Sequence, residues 1–169
     1  MTSNATSPDP TMEAITTAVV LGRDGDKGSA RQELLAIWKQ IGVAGDPFHR
    51  CTLAHYLADL YEDPAAALMW DVRALDAANL LSDDRAQQYH ASLHVAGFYP
   101  SLYVNIADNL RRLGSFDAAT EHIENAEHHT ASLNDDAYGY MIRAAITEVR
   151  QAIDSRDTAR RASAPSPTK

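Results

Sequence analysis

Apolar residues recur every three or four positions along most of the chain, a spacing that predicts a succession of amphipathic helices. The pattern runs from Thr11 to Ile153, with breaks at glycine- and proline-containing turns. The predicted helices run from Thr11 to Gly22, from Asp26 to Gly42, from Phe48 to Tyr61, from Pro64 to Leu81, from Asp83 to about Val95, in two arms from Tyr103 to Ala126, and from Asn134 or Asp135 to Ile153. We therefore expect an all-α protein.

The segment from Tyr103 to Ala126 has the most informative pattern. It indicates two helices that fold back on each other around Gly114. On a helix-turn-helix template of about 34 residues, its large, apolar and small positions all carry suitable residues. These are Tyr103, Ile106, Ala107 and Leu110 in the first helix, and Phe116, Ala119, Ile123 and Ala126 in the second. The segment resembles a tetratricopeptide repeat.

Two earlier helix pairs fit the same template less closely. Ala30, Ala67 and Ala119 occupy the small position of successive second helices, at intervals of 37 and 52 residues. The longer interval contains an insertion, and Asp71 stands at a position that is usually apolar. The resemblance implies a right-handed array of about seven helices: three antiparallel pairs, a short inserted helix and a capping helix. The predicted domain spans 11–153, between disordered tails at 1–10 and 154–169.

Composition narrows the classes of function. The chain has 23 acidic and 15 basic residues, a net charge of −8, which disfavours binding to nucleic acid. It has neither an apolar run of membrane-spanning length nor a secretory signal, so we expect a cytoplasmic protein that does not bind membranes. A single cysteine, Cys51, excludes an internal disulfide. Arginine exceeds lysine twelve to three, which together with abundant alanine suggests a bacterial source.

The resemblance implies that the first helix of each pair lines a concave face. In the central pair, the polar residues on that side are Ser101, Asn105, Asp108, Arg111 and Arg112, and in the second pair the side would present some of His49, Thr52, His55, Tyr56 and Asp59. Asparagine can hydrogen-bond a peptide backbone, and arginine can pair with a carboxylate at two points. The implied function is non-catalytic binding of an unidentified peptide or partner protein, without a cofactor. The alternative is that these residues form an ordinary solvated face.

Two other classes of function stay open. His90 and His94 would lie one helical turn apart and could both face a metal, as could a set made of His49, Cys51 and His55. No glutamate follows His90 as it does in the His-Glu-x-x-His hydrolases, and we do not expect an enzyme. The third class is a self-assembling subunit or homodimer. It would pair through an aromatic patch in the insertion, formed by Tyr89, Phe98 and Tyr99.

Overall fold

The computed structural model describes residues 8–162, and within that range the chain is helical and contains no β-strand. The helices are α1 (Pro10–Arg23), α2 (Lys27–Ile41), α3 (Pro47–Ala58), α4 (Pro64–Ala78), α5 (Asp83–Tyr89), α6 (Tyr99–Arg112), α7 (Phe116–His128) and α8 (Ala137–Asp154). Short 3₁₀ turns lie at Val95–Gly97 and Thr130–Ser132. The predicted all-α class is confirmed. The described range contains eight α-helices, which is the number that the predicted three pairs, inserted helix and capping helix add up to.

Aspartate side chains fix where most of the helices begin. Each of the following accepts a hydrogen bond from a backbone N–H of the first helical turn: Asp9, Asp26, Asp46, Asp63 and Asp136. Such a cap stabilises a helix by roughly 1 kcal/mol, because it satisfies an N–H that has no partner within the helix. The cap of α8 is Asp136, and not Asn134 or Asp135 as predicted, since its carboxylate bonds the N–H of Gly139 at 2.8 Å.

Helices that are adjacent in sequence pack as pairs: α1 with α2, α3 with α4, and α6 with α7. Helix α4 also packs against α6, and α8 closes the array by packing against both α6 and α7. The buried residues form two clusters, one around Leu34, Leu53 and Leu57 and the other around Ile123 and Val149. Helix α6 contributes to both clusters and therefore joins the two halves of the molecule.

The inserted segment is less helical than its sequence predicts. Helix α5 ends at Tyr89 instead of continuing to Val95, because His90 has extended backbone angles. The backbone N–H of Val95 donates to the Asp83 carboxylate at 2.8 Å, and the Val95 side chain is buried. This contact folds the segment back on the start of its own helix. A continuous helix would instead carry Val95 away from Asp83.

The N-terminal end is held by an ionic cluster. The Asp9 carboxylate lies 2.8 Å from His49 Nε2 and 3.1 Å from Arg85, whose Nε also donates to Asp46 at 2.6 Å. Burial favours a higher pKa for Asp9, but hydrogen bonds from His49, the Met12 N–H and Arg85 outweigh it and hold that pKa below its usual value. Part of the predicted tail at 1–10 is thus fixed to α3 and α5, while residues 1–7 lie outside the described range.

Gly139, in the first turn of α8, is expected to tolerate no side chain. A Cβ at this position would overlap the backbone carbonyl of Asn134. Gly139→Ala should therefore lower the free energy of unfolding by about 2 kcal/mol, measured by urea denaturation. Gly28→Ala is the matched control, because a Cβ in that first helical turn meets nothing closer than 3.8 Å. The control should be neutral or stabilising by up to about 1 kcal/mol, and equal effects of the two changes would contradict the prediction.

Candidate functional site

Polar residues of α3, α4 and α6 surround a small cavity beside the C-terminal ends of α3 and α6. It has a volume of about 80 Å³, and we call it the α3–α4–α6 cavity. Its lining includes four residues that the sequence had indicated: Asp59, Asn105, Asp108 and Arg112. Pockets for drug-sized ligands are several times larger. The cavity therefore suits the head group of one side chain, or a few water molecules.

Asp71 forms part of this lining and is the most unusual residue in it. Its side chain is 1% exposed, and Asn109 Nδ2 donates to its Oδ2 at 2.8 Å. Among the residues that the structure describes, nothing hydrogen-bonds to Oδ1. Burial, and then the neighbouring charge of Asp59, raise the pKa of Asp71 well above its usual range, and the nearby amides of Asn105 and Asn109 offset this only in part. Such a carboxylate destabilises the fold when it is ionised.

Arg111 is not available to pair with an incoming carboxylate, which is the role its sequence position suggested. It is fully buried, and four of its five N–H groups already have an acceptor within the protein. Its Nε and Nη2 donate to Asp108 Oδ1 at 3.0 and 2.6 Å. Its Nη1 donates to the backbone carbonyls of Asp157 and Ala159, the latter at 2.9 Å. The sequence could not show this, because the two carbonyls belong to a region that its composition marks as a disordered tail.

That region, residues 155–162, is called the C-terminal segment below. It leaves α8 through a tight reversal in which Arg156 has a φ of +53°, the Arg156 N–H bonds to Ile153 and the Asp157 N–H bonds to Ala152. This pair of bonds is the Schellman arrangement that ends many helices. The C-terminal segment then crosses α6 and contributes to the lining of the α3–α4–α6 cavity. The rest of the predicted tail, residues 163–169, lies outside the described range.

Two arginines of the C-terminal segment face the cavity walls. Arg161 donates to Glu148 Oε2 at 2.8 Å and lies 3.4 Å from Asp108 Oδ2. Arg160 is part of the cavity lining. Asp108 thus lies between the guanidinium of Arg111 on its own helix and that of Arg161 on the segment. The segment covers the polar side of α6 that the sequence analysis assigned to a ligand.

The remaining residues predicted on α3 lie elsewhere. His55 and Tyr56 are half-buried, do not line the cavity, and have ring centroids 5.8 Å apart. The guanidinium of Arg23 lies 5.9 Å from the centre of the Tyr56 ring. His49 is engaged by Asp9. Of the residues predicted on α3, only Asp59 reaches the site, because it follows the last turn of the helix.

The histidines and the cysteine do not form a reactive centre in the described part of the chain. His90 and His94 are not one helical turn apart, since both follow the end of α5: His90 Nδ1 bonds to the Ser92 hydroxyl at 2.8 Å, whereas His94 faces Asp83. Burial raises the pKa of Cys51 to about 12, which keeps its thiol protonated at neutral pH. Within residues 8–162, no group of three or more His, Cys, Asp or Glu side chains is placed to hold a metal ion.

The aromatic residues of the insertion do not form one exposed patch. Phe98 and Tyr99 are half-buried and pack against the core, and the Tyr99 hydroxyl donates to Asn79 at 3.0 Å. Tyr89 is 39% exposed and packs on Phe48, with ring centroids 5.3 Å apart. Core packing accounts for most of their surface.

No protein-family model, curated protein or solved structure matches this chain. None of the helices in the described range is both long and apolar enough to cross a membrane.

Proposed function

We propose that the chain is a non-catalytic module that binds an extended peptide segment of a partner protein. The proposed architecture is a right-handed array of helix pairs of the tetratricopeptide repeat type, and the proposed binding surface is where α3, α4 and α6 meet. The pairwise packing of consecutive helices, with α8 at the end of the array, supports this architecture.

One observation carries the proposal: the polar side of α6 already holds a non-helical stretch of polypeptide. The guanidinium of Arg111 donates to the carbonyls of Asp157 and Ala159, which are two residues apart. These bonds involve only backbone acceptors, so they would hold any chain that takes the same path. Helix α6 thus supplies a rigid donor for a peptide backbone, and side chains around the α3–α4–α6 cavity are positioned to select among peptides.

The test is a selection of random linear peptides, displayed in many copies, against the full-length protein. We expect the enriched peptides to bind the wild type and to lose about tenfold in affinity with Asn105→Ala, which removes an amide from the cavity. Because the Asn105 amide also lies beside Asp71 in the cavity lining, this change should cost about 1 kcal/mol of stability. Binding is therefore measured by fluorescence anisotropy well below the melting temperature.

Asn125→Ala is the matched control. Asn125 is exposed on α7 and does not line the cavity, so its removal should leave peptide affinity unchanged. If no peptide is enriched, or if both substitutions weaken binding equally, the binding surface is not where we propose.

A further inference from the structure

The charge around the α3–α4–α6 cavity is divided between the helices and the C-terminal segment. The helices and the turn after α3 contribute three carboxylates, those of Asp59, Asp71 and Asp108, and the guanidinium of Arg112. The segment contributes the guanidinium groups of Arg160 and Arg161. The formal charge of the helical walls is thus −2, and the segment brings +2. A basic stretch of chain lies over an acidic site, in a protein whose net charge is −8.

The segment satisfies this site incompletely. Arg161 bonds to Glu148 and lies beside Asp108 at the edge of α6. Deeper in the cavity, Asp71 Oδ1 has no hydrogen-bonding partner from any residue of the described range, although Asp71 is almost fully buried. An unpaired buried acceptor is costly to the fold. A ligand whose donor reached Oδ1 would remove that cost and so gain affinity that the segment does not have.

From these observations we infer that the α3–α4–α6 cavity is a subsite for an arginine side chain of an extended partner peptide, and that the C-terminal segment covers the subsite as an intramolecular competitor. The inference rests on the proposed function and adds the chemical class of the ligand and a means of regulation.

Arginine fits the subsite better than lysine. Its planar guanidinium can donate to Asp71 and to a second carboxylate at once, and it stays charged in a poorly solvated site. An ammonium group has the same charge but cannot span two acceptors in this way. Asp71 is the anchor of the subsite, and the hydrogen bond from Asn109 to its Oδ2 orients its carboxylate.

The intramolecular arrangement sets the strength of the competition. A tethered segment acts at an effective concentration of the order of millimolar. A partner peptide must overcome the advantage that this effective concentration gives to the segment, so it must make a contact that the segment lacks. The contact that the geometry offers is a hydrogen bond to Asp71 Oδ1. Weakening the segment should therefore increase the affinity of a peptide added in trans.

The test uses the full chain and a fluorescein-labelled peptide with the sequence of residues 155–162, SRDTARRA. Binding is compared between the wild type and the variant Arg160→Ala/Arg161→Ala, in which the segment has lost the two guanidinium groups that line the cavity. We expect the variant to bind the peptide about tenfold more tightly. A peptide with lysine in place of its last two arginines should bind the variant about tenfold more weakly than the arginine peptide.

The role of the anchor is tested by adding Asp71→Asn to the same variant. In the free peptide the arginines are not held by the link to α8, so one of them can reach Asp71 Oδ1, which the tethered segment leaves unpaired. The change should therefore weaken the arginine peptide about tenfold, whereas Asp76→Asn, at an exposed position on the same helix, should not. The Asp71→Asn variant is expected to stay folded, because the substitution removes a destabilising buried charge. A loss of binding would therefore not result from unfolding. Thermal melting of each variant checks this.

The outcomes separate the inference from the proposed function. Any of three results overturns the arginine subsite. These are equal affinity for the arginine and lysine peptides, peptide binding that is unchanged by Asp71→Asn, and no binding to the variant at about 1 mM peptide. Equal affinity of wild type and variant overturns the competition. In each of these cases, selected peptides whose affinity falls with Asn105→Ala would still support the proposed function. If the selection gave no such peptides, both the proposed function and the inference would be overturned.

Discussion

Arg111→Ala should lower the free energy of unfolding by about 3 kcal/mol, the largest effect that we expect from a single polar residue in this protein. Arg111 is the only buried basic residue in the described range, and it is 0% exposed. Its guanidinium links Asp108 on its own helix with two carbonyls of the C-terminal segment. Without it, Asp108 keeps only the longer contact to Arg161, and the segment loses both backbone bonds to α6.

Two measurements test this prediction. Urea denaturation gives the loss of stability, and hydrogen exchange of residues 157–161 reports whether the segment has left α6. Arg112→Ala is the control: Arg112 is half-buried and donates to the carbonyl of Glu62 at 3.0 Å, so its loss should cost less than about 1 kcal/mol. If Arg111→Ala costs no more than the control and leaves exchange in the segment unchanged, the segment is not held by Arg111.

Asp71→Asn should stabilise the protein at neutral pH by about 1–3 kcal/mol, the second large effect that we expect. Asparagine keeps a side-chain oxygen that can accept the hydrogen bond from Asn109. It also removes the need to bury a negative charge beside Asp59. Few substitutions of a buried polar residue are expected to be stabilising, which makes the prediction specific.

The effect should depend on pH in a defined direction. The pKa of Asp71 in the folded state lies well above its usual value of 3.8, so between these two values the folded state binds more protons than the unfolded state. Stability contributed by Asp71 is therefore present below pH 3.8 and is lost as pH rises through the folded pKa. The advantage of Asp71→Asn should be absent in acid and should grow towards neutral pH.

Urea denaturation of the wild type and of Asp71→Asn between pH 4 and pH 8 checks this dependence. Asp76→Asn serves as the control, because Asp76 is exposed on the same helix and should show no such trend. A difference between Asp71→Asn and the wild type that does not change with pH would mean that the surroundings of Asp71 do not raise its pKa.

The two predictions together bear on why the molecule keeps a buried carboxylate. If Asp71→Asn stabilises the fold and weakens arginine peptides, Asp71 reduces stability in favour of binding. Such trade-offs are common at binding sites, where groups are arranged for a ligand and not for the fold alone. A stabilised variant with unchanged peptide affinity would leave no such role for Asp71.

The sequence pattern located most helices because helix formation depends on neighbouring residues. Asp26 as the cap of α2 and Gly42 as its end were both predicted, since each acts within one turn of the helix it bounds. The end of α5 was misplaced. It depends on the bond between Asp83 and Val95, twelve residues apart, and helical periodicity does not report a contact of that length.

By itself, the sequence determined the all-α class, the pairing of successive helices and the polar side of α6, because spacing of three to four residues decides which side chains share a helix face. It also marked Asp71 as a polar residue at an apolar position, a feature that could have pointed to the cavity but was interpreted only as a departure from the repeat pattern. Only the tertiary structure decided that Asp71 meets Asn109 across 38 positions and that Arg111 meets Asp157 across 46. Those contacts join separate elements through packing, so local pattern could not predict that the C-terminal segment covers the site.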